Sequence, residues 1–173
     1  MLPMPLPPRS NRSVIPKIST DQVEPWIEEV ELRCRERGLR LTPSRRTVLR
    51  TLYLRGRPVS AYTLLRDLGD DGWHPAPPTV YRALDFAVAQ GFAHRVETLQ
   101  AFIVCPQPGQ THRSQFLICT DCGDTREVMD RALATGVEEA AAGQGFTLER
   151  SIVELLGRCS TCAAKDSEGP SSR

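Results

Sequence analysis

Apolar positions first recur at helical spacing in "TDQVEPWIEEVELRCRERGL". Val23, Ile27, Val30 and Cys34 form one stripe there, Thr20 and Asp21 stand as candidate caps, and Gly38 closes the segment. In "LTPSRRTVLRTLYLRG" the signals are sharper: Thr42 at the N-cap, Pro43 at the first helical position, Val48, Leu49 and Leu52 on one face, and Gly56 as the stop. "SAYTLLRDLGDDG" predicts a short third helix capped by Ser60, with Leu64, Leu65 and Leu68 inward. "APPTVYRALDFAVAQG" predicts a fourth, opened by Pro77 and Pro78 and ended by Gly91. At about 100° per residue, Val80, Leu84, Ala87 and Val88 turn inward on this fourth helix. Thr79, Arg82, Asp85 and Ala89 turn outward, with Tyr81 at the boundary.

After Gly91 the period shortens. "FAHRVE", "AFIVC", "QFLIC" and "TREVM" are strand-length apolar runs between polar breaks, "DRALATGVEEAAAGQG" reads as a helix capped by Asp130, and "FTLERSIVELLG" reads as a closing strand. Three successive helices followed by a β-hairpin make a winged helix-turn-helix, whose last helix enters a DNA major groove. The expected fold is therefore α+β, a winged helix-turn-helix followed by a small α/β domain. Its expected divisions are a disordered arm over 1–20, a DNA-binding domain over 21–98, a second domain over 99–162 and a disordered tail over 163–173.

Charge sharpens this division. The formal net charge is only +1, yet residues 1–95 carry 15 Lys+Arg against 10 Asp+Glu, and residues 96–173 carry 7 against 11. Arg33 to Arg57 holds nine arginines and one acid, Glu36, a footprint that suits a polyanion or, equally, a solvated helix surface. Arg82 on the outward face of the fourth helix has the planar fork that can donate two bonds to guanine; the alternative is a surface ion pair with Asp85. The Pro-rich opening lacks the apolar run of a secretory signal or membrane span, so the expected location is a reducing cytoplasm.

In that compartment two Cys-x-x-Cys pairs, Cys119/Cys122 and Cys159/Cys162, are more often zinc ligands or redox centres than disulfides. Four thiolates suit a closed tetrahedral zinc site. The 36 residues between the pairs exceed usual ribbon spacing, but neither pair opens a helix in a βαβ setting as a thioredoxin-like redox motif would. Cys34 falls on an apolar stripe and reads as a core residue, and His74 as a surface or packing histidine. Cys105 ends a strand with His94 and His112 nearby in sequence. No nucleophile-base pair or phosphate loop is visible, so an enzyme is not expected, nor is a small organic substrate.

"RLTPSRRTVL", "SAYTLL", "PPTVYRALDF", "GFAHRVE" and "FLICTDCG", in this order between Val23 and Cys162, resemble the ferric uptake regulator family, and specifically its zinc uptake regulator branch. The resemblance implies a homodimer that binds palindromic double-stranded DNA operators through the winged helix, and a second domain that dimerises. It implies two zinc ions per subunit: a structural one at Cys119, Cys122, Cys159 and Cys162, and a regulatory one at His94, Cys105, His112 and Glu127. Read without the resemblance, Glu127 is an ordinary strand carboxylate. Arg82 with Tyr62 would reach bases and grooves, while Thr79, Tyr81, Arg40 and Arg45 would hold phosphates.

A thiolate, two imidazoles and a carboxylate form a donor set that favours Zn²⁺ over Fe²⁺ or Mn²⁺, and "THRSQFLIC" lacks the His-rich run of iron-type members. The implied function is repression of zinc-uptake genes when zinc is plentiful. A sensor of iron, manganese or peroxide on the same fold is the alternative, and a thiol-disulfide oxidoreductase or structural zinc ribbon a more remote one.

Overall fold

The computed structural model describes residues 13–14, 20–110 and 114–167. They fall into two compact units, 20–110 and 13–14 with 114–167.

The first unit is built from α1 (Val23–Glu36), α2 (Pro43–Arg55), α3 (Ala61–Asp70), α4 (Pro77–Ala89), β2 (Ala93–Val96) and β3 (Ala101–Val104). Its helices begin where local chemistry satisfies their first amides. Thr42 Oγ1 accepts from Arg45 N at 3.3 Å, and Ser60 Oγ from Thr63 N at 3.1 Å. Gly56 stops α2 with φ +58°, a left-handed turn that glycine adopts without a Cβ clash. The start of α1 departs from expectation: Thr20 and Asp21 lie in a 3-10 turn, Thr20–Gln22, and Gln22 is the cap, with no side-chain cap bond.

Val30, Val48, Leu49, Leu52, Leu64, Leu68, Val80 and Leu84 close a continuous core, with Cys34 inside it as expected. On α4 the inward face is Val80, Ala83, Leu84 and Ala87, while Val88, expected inward, is half-buried. β2 and β3 form an antiparallel hairpin with Ala93 opposite Val104 and His94 opposite Ile103. Val59, just before α3, exchanges two backbone hydrogen bonds of 2.9 Å with Phe102 and extends that hairpin.

This pairing moves the boundary expected after residue 98. "AFIVC" is the returning limb of the hairpin and stays in the first unit; the division falls between 110 and 114. The run is buried at all four strand positions, so it reads in isolation like the start of a new sheet.

The second unit is a four-stranded sheet in the order β1-β5-β4-β6, comprising β1 (Ser13–Val14), β4 (Gln115–Cys119), β5 (Thr125–Met129) and β6 (Val153–Gly157). β4 runs antiparallel to β5 and parallel to β6, a crossover made through α5 (Arg131–Gly143). α6 (Ser160–Ser167) follows β6.

Three expectations are corrected here. Within the arm read as disordered, Ser13 and Val14 pair with Met129 and Val128; residues 1–12 and 15–19 lie outside the described residues. The tail read as loose from Ala163 is helical to Ser167, because Ala163, Ala164 and Lys165 are good helix formers continuing a turn begun at Ser160. The closing strand occupies only Val153–Gly157, not the whole run from Phe146.

Candidate metal centres and nucleic-acid interface

A tight turn after β4 and the first turn of α6 after β6 bring the cysteines together. At the end of β4, Cys119 N donates to Asp124 O at 2.8 Å and Gly123 N to Cys119 O at 2.9 Å, with Gly123 at φ +72°. After β6, Ala163 N donates to Cys159 O at 2.9 Å, closing the first helical turn of α6, which spans the Cys159–Cys162 pair. Because β4 and β6 are parallel neighbours with Cys119 opposite Gly157, both segments sit at the same end of the two strands. The sulfurs of Cys119, Cys122, Cys159 and Cys162 all lie within 4.8 Å of one another, and those of Cys122 and Cys159 are 3.8 Å apart. A tetrahedron with Zn–S bonds of about 2.3 Å has edges of about 3.8 Å, so the spacing fits that ion.

Electrostatics point the same way. The backbone amide of Cys159, 3.3 Å from the Cys119 sulfur, and that of Cys122 stabilise a thiolate and lower Cys119 to about 6. Cys162 is pushed up to about 12, first by the Cys159 sulfur and then by that of Cys122. One sulfur is favoured as the thiolate while its neighbours hold the next proton on, so a cation among the four would favour their further deprotonation.

Arg158, which sequence reasoning passed over, braces both turns: its Nε donates to Asp121 Oδ2 at 2.6 Å and its Nη2 to Cys162 O at 2.9 Å. The signal available was an arginine directly preceding a cysteine pair.

The second expected ligand group divides between the units. In the first, His94 pairs with Ile103 across the β2–β3 hairpin and Cys105 lies two residues beyond Ile103, with the His94 and Cys105 donor atoms within 4.8 Å. Cys105 is fully buried and its backbone is pinned: its amide donates to Phe92 O at 2.9 Å, and its carbonyl accepts from Trp26 Nε1 at 2.8 Å. In the second unit, Glu127 sits on β5 with 5% exposure, and its Oε1 accepts from the Ser114 hydroxyl. A carboxylate that withdrawn from water is not the ordinary exposed strand residue of the bland reading. Ser114 is another residue the sequence did not announce. His112 lies outside the described residues.

The face of α4 away from the core carries Arg82, expected to reach bases, and Thr79 and Tyr81, expected to hold phosphates. Tyr81 and Arg82 are exposed and Thr79 is half-buried; Tyr62 on α3 is 76% exposed. Among the described residues Arg82 makes no ion pair, so the alternative pairing with Asp85 is not formed.

The arginine run is only partly available. Arg33 pairs with Glu29 and Glu36, Arg46 with Glu24 and Glu31, Arg50 with Glu24, and Arg55 with Asp67. Arg45 is committed too: its guanidinium lies 3.6 Å over the Phe86 ring of α4 and donates to Arg40 O at 2.8 Å. Arg40 itself is exposed.

A model of the ferric uptake regulator family matches residues 36–156. The chain belongs to the ferric uptake regulator family. It is 39% identical over 139 residues to the zinc uptake regulation protein of Escherichia coli (strain K12), a match covering 79% of this chain and 80% of that protein. A solved zinc uptake regulator complexed with zinc and DNA superposes with a TM-score of 0.78 at 36% identity, covering 84% of this chain and 97% of the other. The crystal structure of holo XcZur gives a TM-score of 0.74 at 43% identity, covering 81% and 98%. The family groups regulators, not enzymes. Among the described residues no helix is long and apolar enough to cross a membrane.

Proposed function

We propose that the chain is a zinc-responsive transcriptional repressor that binds palindromic operator DNA as a homodimer in the cytoplasm and silences zinc-uptake genes when zinc is abundant. Its nearest support is the convergence of His94 and Cys105 on the hairpin that directly follows α4, which sets a soft imidazole-thiolate donor pair next to the helix bearing Arg82. The relatives named for zinc uptake regulation, and the zinc- and DNA-bound structure that superposes on this chain, support the same reading.

Cys119, Cys122, Cys159 and Cys162 would hold a structural Zn²⁺, and Arg158 keeps their two turns in register. His94 and Cys105, with His112 and Glu127 as the further ligands the family resemblance implies, would hold the regulatory Zn²⁺. Bound zinc would supply a cross-link among its ligands. Two recognition helices of a dimer fit DNA only when separated by a fixed number of helical turns, so a conformer that meets this spacing gains operator affinity and, reciprocally, zinc affinity. On α4, Arg82 would read base edges, with Tyr62 beside it; Thr79 and Tyr81 would hold phosphates. Arg40, exposed beside α2, would add a salt-dependent contact, whereas Arg45 would serve the interface chiefly by holding Phe86. Leu117 and Leu155, paired across β4 and β6 on one face of the sheet, are 42% and 44% exposed, an apolar surface that a second copy would cover.

The test is a DNA-shift titration with Zn²⁺, Fe²⁺ and Mn²⁺, on an operator selected from a random duplex pool by the zinc-loaded protein. Zn²⁺ is expected to raise affinity in the wild type and to do so far less in Cys105→Ser, which keeps its fold. A response to Fe²⁺ or Mn²⁺ but not to Zn²⁺ would move the assignment to another sensor of the same family.

A further inference from the structure

Arg37 is the C-cap residue of α1, and its guanidinium reaches two segments distant in sequence. Nη1 donates to the backbone oxygen of Gln90, the C-cap of α4, at 2.8 Å, and to Gln90 Oε1 at 3.2 Å. Nη2 donates to Gly109 O at 2.6 Å, in the loop that leaves Cys105. The same cation lies 5.8 Å from the centroid of Phe92, whose carbonyl holds the Cys105 amide. Gly109 N donates in turn to Gly91 O at 2.9 Å, so loop and helix end are bonded from both sides. The fit is close: at Gly109, φ is +74°, and a Cβ would stand 2.9 Å from Arg37 Nη2.

A cation at the C-terminus of α4 also meets the partial negative charge of its last carbonyls. A planar fork can satisfy two carbonyls at fixed separation, which a lysine ammonium cannot do with the same geometry.

We propose that Arg37 is a positioning residue that joins the Cys105–Gln110 loop to the C-terminal end of α4, so that ordering of this loop around its ligands orders the base-reading helix. The inference rests on the zinc-responsive reading above. α4 is a single rigid rod from Gln90 back to Arg82, about 12 Å at 1.5 Å per residue, so a small tilt at its end is carried to the groups that face DNA.

The experiment compares wild type, Arg37→Lys and Gly109→Ala, each measured for operator affinity with and without Zn²⁺ and for Zn²⁺ affinity in the absence of DNA by chelator competition. Both variants are expected to lose at least tenfold of the zinc-dependent gain in operator affinity, while zinc affinity without DNA stays within threefold of wild type. A second readout uses zinc-free protein: in Arg37→Gln the amides of residues 90–92 should exchange at least tenfold faster than in wild type, with those of 48–53 in α2 unchanged.

If Arg37 acted only as a charge near DNA, Arg37→Lys would keep the full zinc response; if it only stabilised the fold, operator affinity would fall equally with and without zinc. Either result overturns the proposal. A wild type whose operator affinity ignores zinc overturns the functional reading instead, and this is seen before any variant is compared.

Discussion

Two helices of equal length show how differently the two units are held. α4 and α5 each span 13 residues, yet α4 buries Val80, Ala83, Leu84 and Ala87 whereas α5 buries no residue. The contrast extends to the units that contain them. The continuous apolar core lies wholly between Val23 and Val104, while the second unit buries Phe116, Ile118, Cys119 and Cys162 and leaves Leu117, Phe146, Ile152, Leu155 and Leu156 exposed. The first unit can therefore be stabilised by its own side chains. A sheet with so little buried apolar surface needs other fastening, and the four sulfurs at the ends of β4 and β6 lie where an ion would tie the two parallel strands together.

Cys119→Ser breaks this contrast most severely. Apparent zinc contributions in small cysteine-rich domains are on the order of 10 kcal/mol. In the full-length protein the substitution should abolish amide protection over 114–167 while leaving that of α2 and α4 in place. Uniform loss across both units would mean that the core of the first does not stand alone.

Acid should weaken the same fastening. With Cys162 raised to about 12 in the zinc-free cluster, its proton must leave when zinc binds. Affinity for zinc therefore falls as pH falls, and chelator competition at pH 6.5 should extract the ion more readily than at pH 8.

Leu84→Ala is the corresponding blow to the other unit. The side chain is fully buried, and truncations of this kind cost about 2–5 kcal/mol. Calorimetry should show the lowered transition, and amide exchange should confine it to 20–110. A loss shared equally by 114–167 would merge the two units into one cooperative block.

How much of this was legible in the sequence follows the same divide. Thr42, Pro43, Ser60, Pro77 and Gly56 announce α2, α3 and α4 because caps and prolines act within one helical turn. The cysteine pairs announce their cluster because thiol spacing is a local signal too. What stayed hidden depends on partners far along the chain. Ser13–Val14 becomes a strand only because β5 offers an open edge, and "AFIVC" joins the first unit only through its register with β2 and Val59. Arg46 and Arg50 of α2 reveal their ion pairs only once Glu24 and Glu31 of α1 are placed beside them. Of the proposed regulatory ligands, the burial of Cys105 and Glu127 could not be read from composition; the zinc-sensing role proposed for them rests on the family resemblance.

The finest comparison pairs two caps. Thr42 Oγ1 caps α2 through Arg45 N, and Asp130 Oδ1 caps α5 through Ala132 N at 2.9 Å and Leu133 N at 3.1 Å. Replacing either by alanine removes a contribution of about 1 kcal/mol. The consequences should nevertheless differ, because α2 is locked to its neighbours by Val48, Leu49 and Leu52 and cannot fray alone. Thr42→Ala should therefore lower the stability of the whole first unit by about 1 kcal/mol. In Asp130→Ala the loss should appear as about fivefold faster exchange of the α5 amides alone, since no buried side chain couples that helix to the sheet. Equal spreading of both effects would show that α5 is anchored by contacts its surface position does not reveal, a second subunit being the first candidate to supply them.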